Sequence, residues 1–247
     1  MNQIYILGVK AHKIKKKEAL GKVEEFLSEN KFHYITTVNP EFVMQAQKDK
    51  QFMEILNDSD LAVADGIGLK FASWVLGSNV YRIAGCELAN DILEIARKKE
   101  KKVYFFVWKN GLSGVEDVKS VLRDLKIEGQ SIERDGSDIN WEKLNSFKPN
   151  ILLIGLGAPY QEKIISKMKE KTGIKLAIGV GGTFDFLTGK IKRAPKIFRL
   201  MGLEWLYRLL QPSKPPHKYF YRFKRILRAV VVFPWNVVKW KVVKSIK

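Results

Sequence analysis

A short, wholly apolar run, Leu61-Ala62-Val63-Ala64, leads straight into Asp65, and Gly66 and Gly68 follow before a helical pattern resumes. A strand this apolar is buried on both faces. An acid at its end is partly desolvated, which suits it to accept a proton as a general base. Residue 65 has a plainer reading too, as a cap for the helix that begins near Gly68. Thr37-Val38-Asn39-Pro40 ends a second apolar run. There Asn39 at the N-cap and Pro40 at the first helical position make a helix start, and Thr37 and Asn39 add polar groups beside it. Two glycine-rich turns follow later runs: Gly155-Leu156-Gly157-Ala158-Pro159-Tyr160 and Gly179-Val180-Gly181-Gly182-Thr183-Phe184-Asp185. Missing side chains let backbone N–H groups approach a phosphate, and an acid just beyond suits ribose hydroxyls. The first turn lacks the third glycine of the dinucleotide fingerprint, since Tyr160 stands there, so an NAD site is not expected.

Asp58-Ser59-Asp60 spells the Asp-x-Asp pattern with which many sugar-nucleotide transferases hold a divalent cation. It precedes its strand rather than following it, at what should be the wrong end of a sheet, and reads as a solvated turn. His12, His33 and His217 show no metal-ligand spacing, and the single cysteine, Cys86, excludes an internal disulfide or an all-cysteine metal site. Neither a metal nor any other cofactor is expected.

These residues need a frame to bring them together. The predicted strands are Ile4–Val9, Tyr34–Val38, Leu61–Ala64, Val103–Val107, Ile151–Ile154 and Leu176–Val180. Between them lie the amphipathic stretches Lys16–Ser28, Phe42–Leu56, Leu88–Lys98, Gly114–Leu125 and Glu162–Lys171. Apolar runs alternating with helices of this length predict an α/β fold, a mostly parallel Rossmann-like sheet flanked by helices. Ligands in such folds collect beyond the carboxyl ends of the strands, which puts Thr37, Asn39, Asp65 and both glycine turns on one rim.

The chain of 247 residues carries a net charge of +18, unevenly spread. From Lys192 to Lys247 there are 15 Lys or Arg and one acid, Glu204, whereas the preceding 191 residues hold 29 bases and 25 acids. That shift suggests a catalytic domain over residues 1–195 and a basic helical appendage over 196–247. The first residues hold only the apolar run Ile4 to Leu7, too short for a signal-peptide core, so a cytoplasmic location is expected.

Five motifs, TVNPEFVMQAQ, ADGIGLKFAS, PNILLIGLGAPYQE, GVGGTFDFLTGKIKRAP and GLEWLYRLLQP, together resemble the TagA/WecG/CpsF-type glycosyltransferases over roughly residues 1–212, most of all their TagA N-acetylmannosaminyltransferase branch. The resemblance implies an inverting, metal-independent transfer from UDP-N-acetylmannosamine to the C4 hydroxyl of N-acetylglucosamine. The acceptor is carried on undecaprenyl diphosphate at the inner face of the bacterial membrane, and the product is the linkage unit of wall teichoic acid. By the same resemblance Asp65 is the base, with Thr37 and Asn39 positioning the sugar. Arg82, Gly157, Tyr160, Gln161, Gly181, Gly182, Asp185 and Arg208 fall where the UDP moiety should lie. Two stretches depart from the pattern. Phe105-Phe106-Val107-Trp108 stands where a glycine-bearing turn is usual, and KPPHK at 214–218 replaces an arginine cluster.

No run approaches the ~20 apolar residues that a spanning helix needs. On a helical wheel Tyr219, Phe220, Phe223, Ile226, Leu227, Val230 and Val231 gather opposite Lys218, Arg222, Lys224, Arg225 and Arg228, with Trp235 and Trp240 following. A basic amphipathic helix with tryptophans reads as an interfacial anchor on anionic lipid, a peripheral association with the inner face of the membrane. Pro234 and Asn236 interrupt the apolar run from Ala229 to Val238. A helical hairpin packing on the protein itself is the plainer alternative for the tail. Nucleic acid ranks last as a partner, because the apolar and tryptophan content exceeds what phosphate binding requires. Two rival functions remain: the same fold moving another hexose such as glucose or galactose, and a non-catalytic nucleotide-binding module whose basic tail docks on nucleic acid. A homo-oligomer completed by the tail is compatible with either class.

Overall fold

The computed structural model describes residues 1–169, 173–202, 204, 206, 207 and 223–246. The chain begins with a two-stranded antiparallel hairpin, β1 (Gln3–Ile6) and β2 (Val9–His12), rather than the single strand Ile4–Val9 expected above. Leu7 and Gly8 both have positive φ, 50° and 82°. A two-residue turn of that kind matches the twist of a hairpin and folds the apolar run back on itself.

The remaining strands form one six-stranded parallel sheet in the order β4-β3-β8-β7-β5-β6. They are β3 (His33–Val38), β4 (Leu61–Ala64), β5 (Val103–Trp108), β6 (Ile127–Ile132), β7 (Ile151–Gly155) and β8 (Leu176–Gly179). The helices α1 (Lys16–Ser28), α2 (Pro40–Ala46), α3 (Lys50–Asp58), α4 (Ile67–Val75), α5 (Gly85–Lys98), α6 (Val115–Val121), α7 (Trp141–Phe147), α8 (Tyr160–Met168), α9 (Thr183–Leu187) and α10 (Lys196–Leu200) lie between and after the strands. The expected α/β class therefore holds. The stretch Phe42–Leu56 divides into α2 and α3 because Asp49 caps a new helix, accepting from the Phe52 N–H at 3.0 Å. Strand β6 escapes the hydropathy reading because IEGQSI is a sheet-edge strand with a half-polar face.

Alternate strand residues serve opposite faces of the sheet. Ile35, Val63, Phe105, Leu153 and Ile178 pack under α1, α5 and α6, while Tyr34, Tyr104, Phe106, Leu152 and Ala177 pack against α7 and α8. A third apolar cluster joins the hairpin, α2, α3, α4 and the strands β3 and β4.

The C-terminal segment enters that third cluster. From residue 223 the chain is helical, with a π-helical segment over Arg228–Val232 running into α11 (Phe233–Ile246). Pro234 is accommodated without breaking the helix. It stands in the first turn of α11, immediately after the wider π segment, where the missing N–H costs least. Phe233 and Val237 are fully buried against α4. Trp240 is half-buried on the same cluster, whereas Trp235 is 70% exposed. Lys218 and Arg222, expected to face lipid, lie outside the described residues.

Candidate active site

The register of β3 against β4 pairs Thr37 with Val63 and Val38 with Ala64, so both strands end at the same level. The Asp65 N–H donates to the Val38 carbonyl at 2.7 Å, which sets Asp65 beside Asn39. Gly66, at φ 89°, then turns the chain into α4 in a conformation that other residues adopt only with strain. Asp65 is half-buried and faces a cavity of about 910 Å³, within the range of small-molecule sites.

Thr37, Asn39 and Asp65 share one wall of that cavity. The capping role of Asn39 is real: its Oδ1 accepts from the Phe42 N–H at 3.0 Å, while its Nδ2 has no partner among the described residues. Gly85 opens α5 against Thr37, whose side chain lies 3.1 Å from where a β-carbon would stand. A larger residue there would push the threonine out of place. Cys86 lines the same wall, and burial raises its thiol pKa, so it is protonated and a poor nucleophile at neutral pH.

The opposite wall is built from the two glycine turns. Gly157, Tyr160, Gln161, Gly181 and Gly182 all line it. Gln161 ties the turns together, its Oε1 accepting from the N–H groups of Gly157 at 3.1 Å and Gly181 at 3.0 Å. Two of the N–H groups expected for phosphate are therefore already engaged. The Gln161 Nε2 donates at 2.6 Å to Oε1 of Glu162, which is 1% exposed, and burial raises the pKa of that carboxyl to about 7. Gly179 packs directly on this pair, and a β-carbon there would collide with both side chains.

Some expected residues are elsewhere. The Arg82 Nη1 donates to the Arg199 carbonyl at 2.7 Å, below α10, and Arg82 does not line the cavity. Asp185 also turns away, its Oδ1 accepting from Ser113 Oγ at 2.7 Å. Arg208 lies outside the described residues. Asp58-Ser59-Asp60 stands at the amino end of β4, where Asp60 accepts from the Tyr34 N–H at 2.9 Å and contacts His33 Nδ1 at 3.0 Å. This is the far side of the sheet from the rim.

Other residues join the cavity. Glu41 stands just after the Asn39-Pro40 cap, and Lys48 follows α2. Arg225 and Arg228, read from the sequence as lipid contacts, reach the cavity from the C-terminal helix. Arg134 arrives from the loop after β6. Nothing in the hydropathy marked β6 as a strand, so nothing marked its loop as part of the rim.

A parallel α/β sheet with a carboxylate and glycine turns converging beyond its strand ends has the architecture of a nucleotide-dependent transferase. The family is specific. The model of the glycosyl transferase WecG/TagA/CpsF family matches residues 4–247, and the chain belongs to that family. It is 34% identical over 190 residues to an N-acetylglucosaminyldiphosphoundecaprenol N-acetyl-beta-D-mannosaminyltransferase of Bacillus spizizenii, covering 75% of this chain and 74% of the relative. It is 33% identical over 183 residues to the Bacillus subtilis enzyme of the same name, covering 71% and 70%. For the Staphylococcus aureus enzyme of that name the identity is 30% over 215 residues, covering 84% and 80%.

Proposed function

We propose that this glycosyltransferase moves N-acetylmannosamine from UDP-N-acetylmannosamine to the C4 hydroxyl of N-acetylglucosaminyl-diphospho-undecaprenol, making the linkage unit of wall teichoic acid. The observation that carries the reading is Asp65 beside Thr37 and Asn39, facing the glycine turns across one cavity. Asp65 takes the proton of the acceptor hydroxyl as its oxygen attacks the anomeric carbon, and the donor's C–O bond to the diphosphate breaks on the opposite face. One such displacement inverts the anomeric configuration. Thr37 and the Nδ2 of Asn39 hold sugar hydroxyls so that the attack is aligned.

The departing UDP gathers negative charge. Arg225 and Arg228 line the same cavity as Gly182 and bring positive charge to it. Residues 196–247 then act as an appendage whose helix both covers the cavity and meets the membrane that holds the acceptor. Phe223, Leu227, Val230, Val231 and Trp235 are exposed along it, a basic and apolar surface suited to peripheral docking on anionic lipid. No helix among the described residues is long and apolar enough to cross a membrane.

The reading is tested by mixing the purified chain with UDP-N-acetylmannosamine and a lipid-linked N-acetylglucosamine acceptor. Release of UDP matched by formation of the β-linked disaccharide lipid is expected. UDP-glucose or UDP-galactose turning over faster would shift the donor assignment to another hexose. UDP binding without turnover on any acceptor would leave only a nucleotide-binding module.

A further inference from the structure

The far end of the cavity holds an arrangement that the transfer chemistry does not use. The Arg134 guanidinium lies over the Trp108 ring at 3.8 Å from its centroid and over the Tyr160 ring at 5.4 Å. Such contacts fix the plane of the guanidinium. Arg134 lines the cavity, yet it makes no hydrogen bond or ion pair among the described residues, and its buried Nε lacks an acceptor. Tyr160 is 40% exposed, so its ring remains open to a further partner. A cation held flat by aromatic rings, and not by a carboxylate, keeps its donor edge available for a ligand.

Position decides which ligand group meets it. Asp65 follows β4, the glycine turns follow β8 and β7, and Trp108 ends β5. At ~4.8 Å per strand, the axes of β4 and β5 are about 19 Å apart, with the glycine turns between them. A nucleotide sugar has the same polarity: the transferred carbon at one end, the diphosphate in the middle, the nucleobase at the other. Resting on the donor proposed above, we infer that Trp108, Arg134 and Tyr160 form the nucleobase subsite. The base stacks against the open Tyr160 ring, and the Arg134 edge donates to a base carbonyl. A guanidinium only donates, so at the C4 position it favours uracil, whose C4 oxygen accepts, over cytosine, whose C4 amino group donates. The departure of Phe105-Phe106-Val107-Trp108 from the family pattern acquires a role, because Trp108 is the platform that holds Arg134.

The test is calorimetric titration of the full chain and of its Arg134→Leu and Arg134→Lys variants with UDP, CDP and inorganic pyrophosphate. The wild type should prefer UDP to CDP. Arg134→Leu should weaken UDP at least 10-fold, remove that preference and leave pyrophosphate unchanged. Arg134→Lys, which keeps the charge but not the plane, should also lose the preference. Unchanged UDP affinity in both variants overturns the inference, as does a parallel loss of UDP and pyrophosphate, which would make Arg134 a phosphate contact. A wild type that binds no UDP removes the donor reading itself, whatever the variants do.

Discussion

Arg225 and Glu41 join the C-terminal helix to the start of α2 across 184 residues of sequence, with Nη2 to Oε2 at 2.5 Å and Nε to Oε2 at 3.0 Å. Both residues line the cavity. Half of the arginine side chain is solvent-exposed, so the contact is worth roughly 0–1 kcal/mol, enough to bias a position but not to lock it. Its electrostatic consequence matters more. With Glu41 already beside Arg225, Arg228 is the better placed of the two to meet the leaving group's charge.

Substitution should reveal that division. Arg228→Ala is expected to lower kcat on the order of 100-fold, the lower end of the range seen when one transition-state donor is removed. Arg225→Ala should cost less in kcat and should instead increase amide exchange over residues 223–232. Steady-state kinetics paired with hydrogen exchange separates the two roles, and equal kcat losses would argue against the division.

The anchor of the same helix is apolar. Phe233 is fully buried against α4. Phe233→Ala should therefore cost about 3–5 kcal/mol if the helix stays docked and its environment does not collapse, as read by urea unfolding. Trp235→Ala should change stability by less than roughly 0.5 kcal/mol while reducing co-sedimentation with anionic vesicles. A Trp235 variant that binds vesicles like the wild type would place lipid contact elsewhere.

Glu162 should leave a mark on the pH dependence of stability. Its carboxyl pKa is about 7 in the folded chain because burial disfavours the charge, against an ordinary value of 4.5. Between those values the folded state binds more protons than the unfolded one, so this group's contribution is greatest below about 4.5 and is lost as pH rises through about 7. His12 works in the opposite sense, its pKa being lowered by burial to about 4, so that stability rises with pH as the unfolded imidazole gives up its proton. The informative quantity is therefore the difference between wild type and Glu162→Gln. The variant should gain on the wild type between pH 5 and pH 7 by roughly 3 kcal/mol at most, and parallel unfolding curves would contradict the burial argument.

Gly179→Ala offers a check on the clasp between the glycine turns. Its β-carbon would meet both Gln161 and Glu162, forcing Gln161 off the Gly157 and Gly181 N–H groups. UDP affinity should fall more than 10-fold, with a loss of stability in the 1–3 kcal/mol range typical of overpacking. Binding unaffected by the substitution would mean that the clasp does not shape the nucleotide site.

How much of this could be read from residues alone varies with the kind of signal. The buried parallel strands announced themselves through continuous apolar runs, and the rule that ligands gather at carboxyl ends then placed Thr37, Asn39 and Asp65 together. The hairpin was hidden because Leu7-Gly8 is a turn inside an apolar run, a matter of φ rather than of hydropathy. Arg134 was hidden because β6 alternates weakly at a sheet edge. Arg82 and Asp185 carried polar groups at promising positions, yet side-chain direction sent them to the Arg199 carbonyl and to Ser113. Arg225 and Arg228 looked like lipid contacts on a helical wheel, because a wheel shows a helix's faces without what packs against them. Trp240 stood out as an interfacial residue for the same reason, and it rests on the core cluster instead.

The proton acceptor remains the centre of the account. Asp65→Asn preserves shape and hydrogen-bonding capacity while removing the basic oxygen, so single-turnover transfer from UDP-N-acetylmannosamine to the lipid-linked acceptor is the most direct test. The prediction is a rate lowered by at least 100-fold with UDP affinity within a few-fold of the wild type. A variant that transfers at the wild-type rate would contradict it and place the base on another residue.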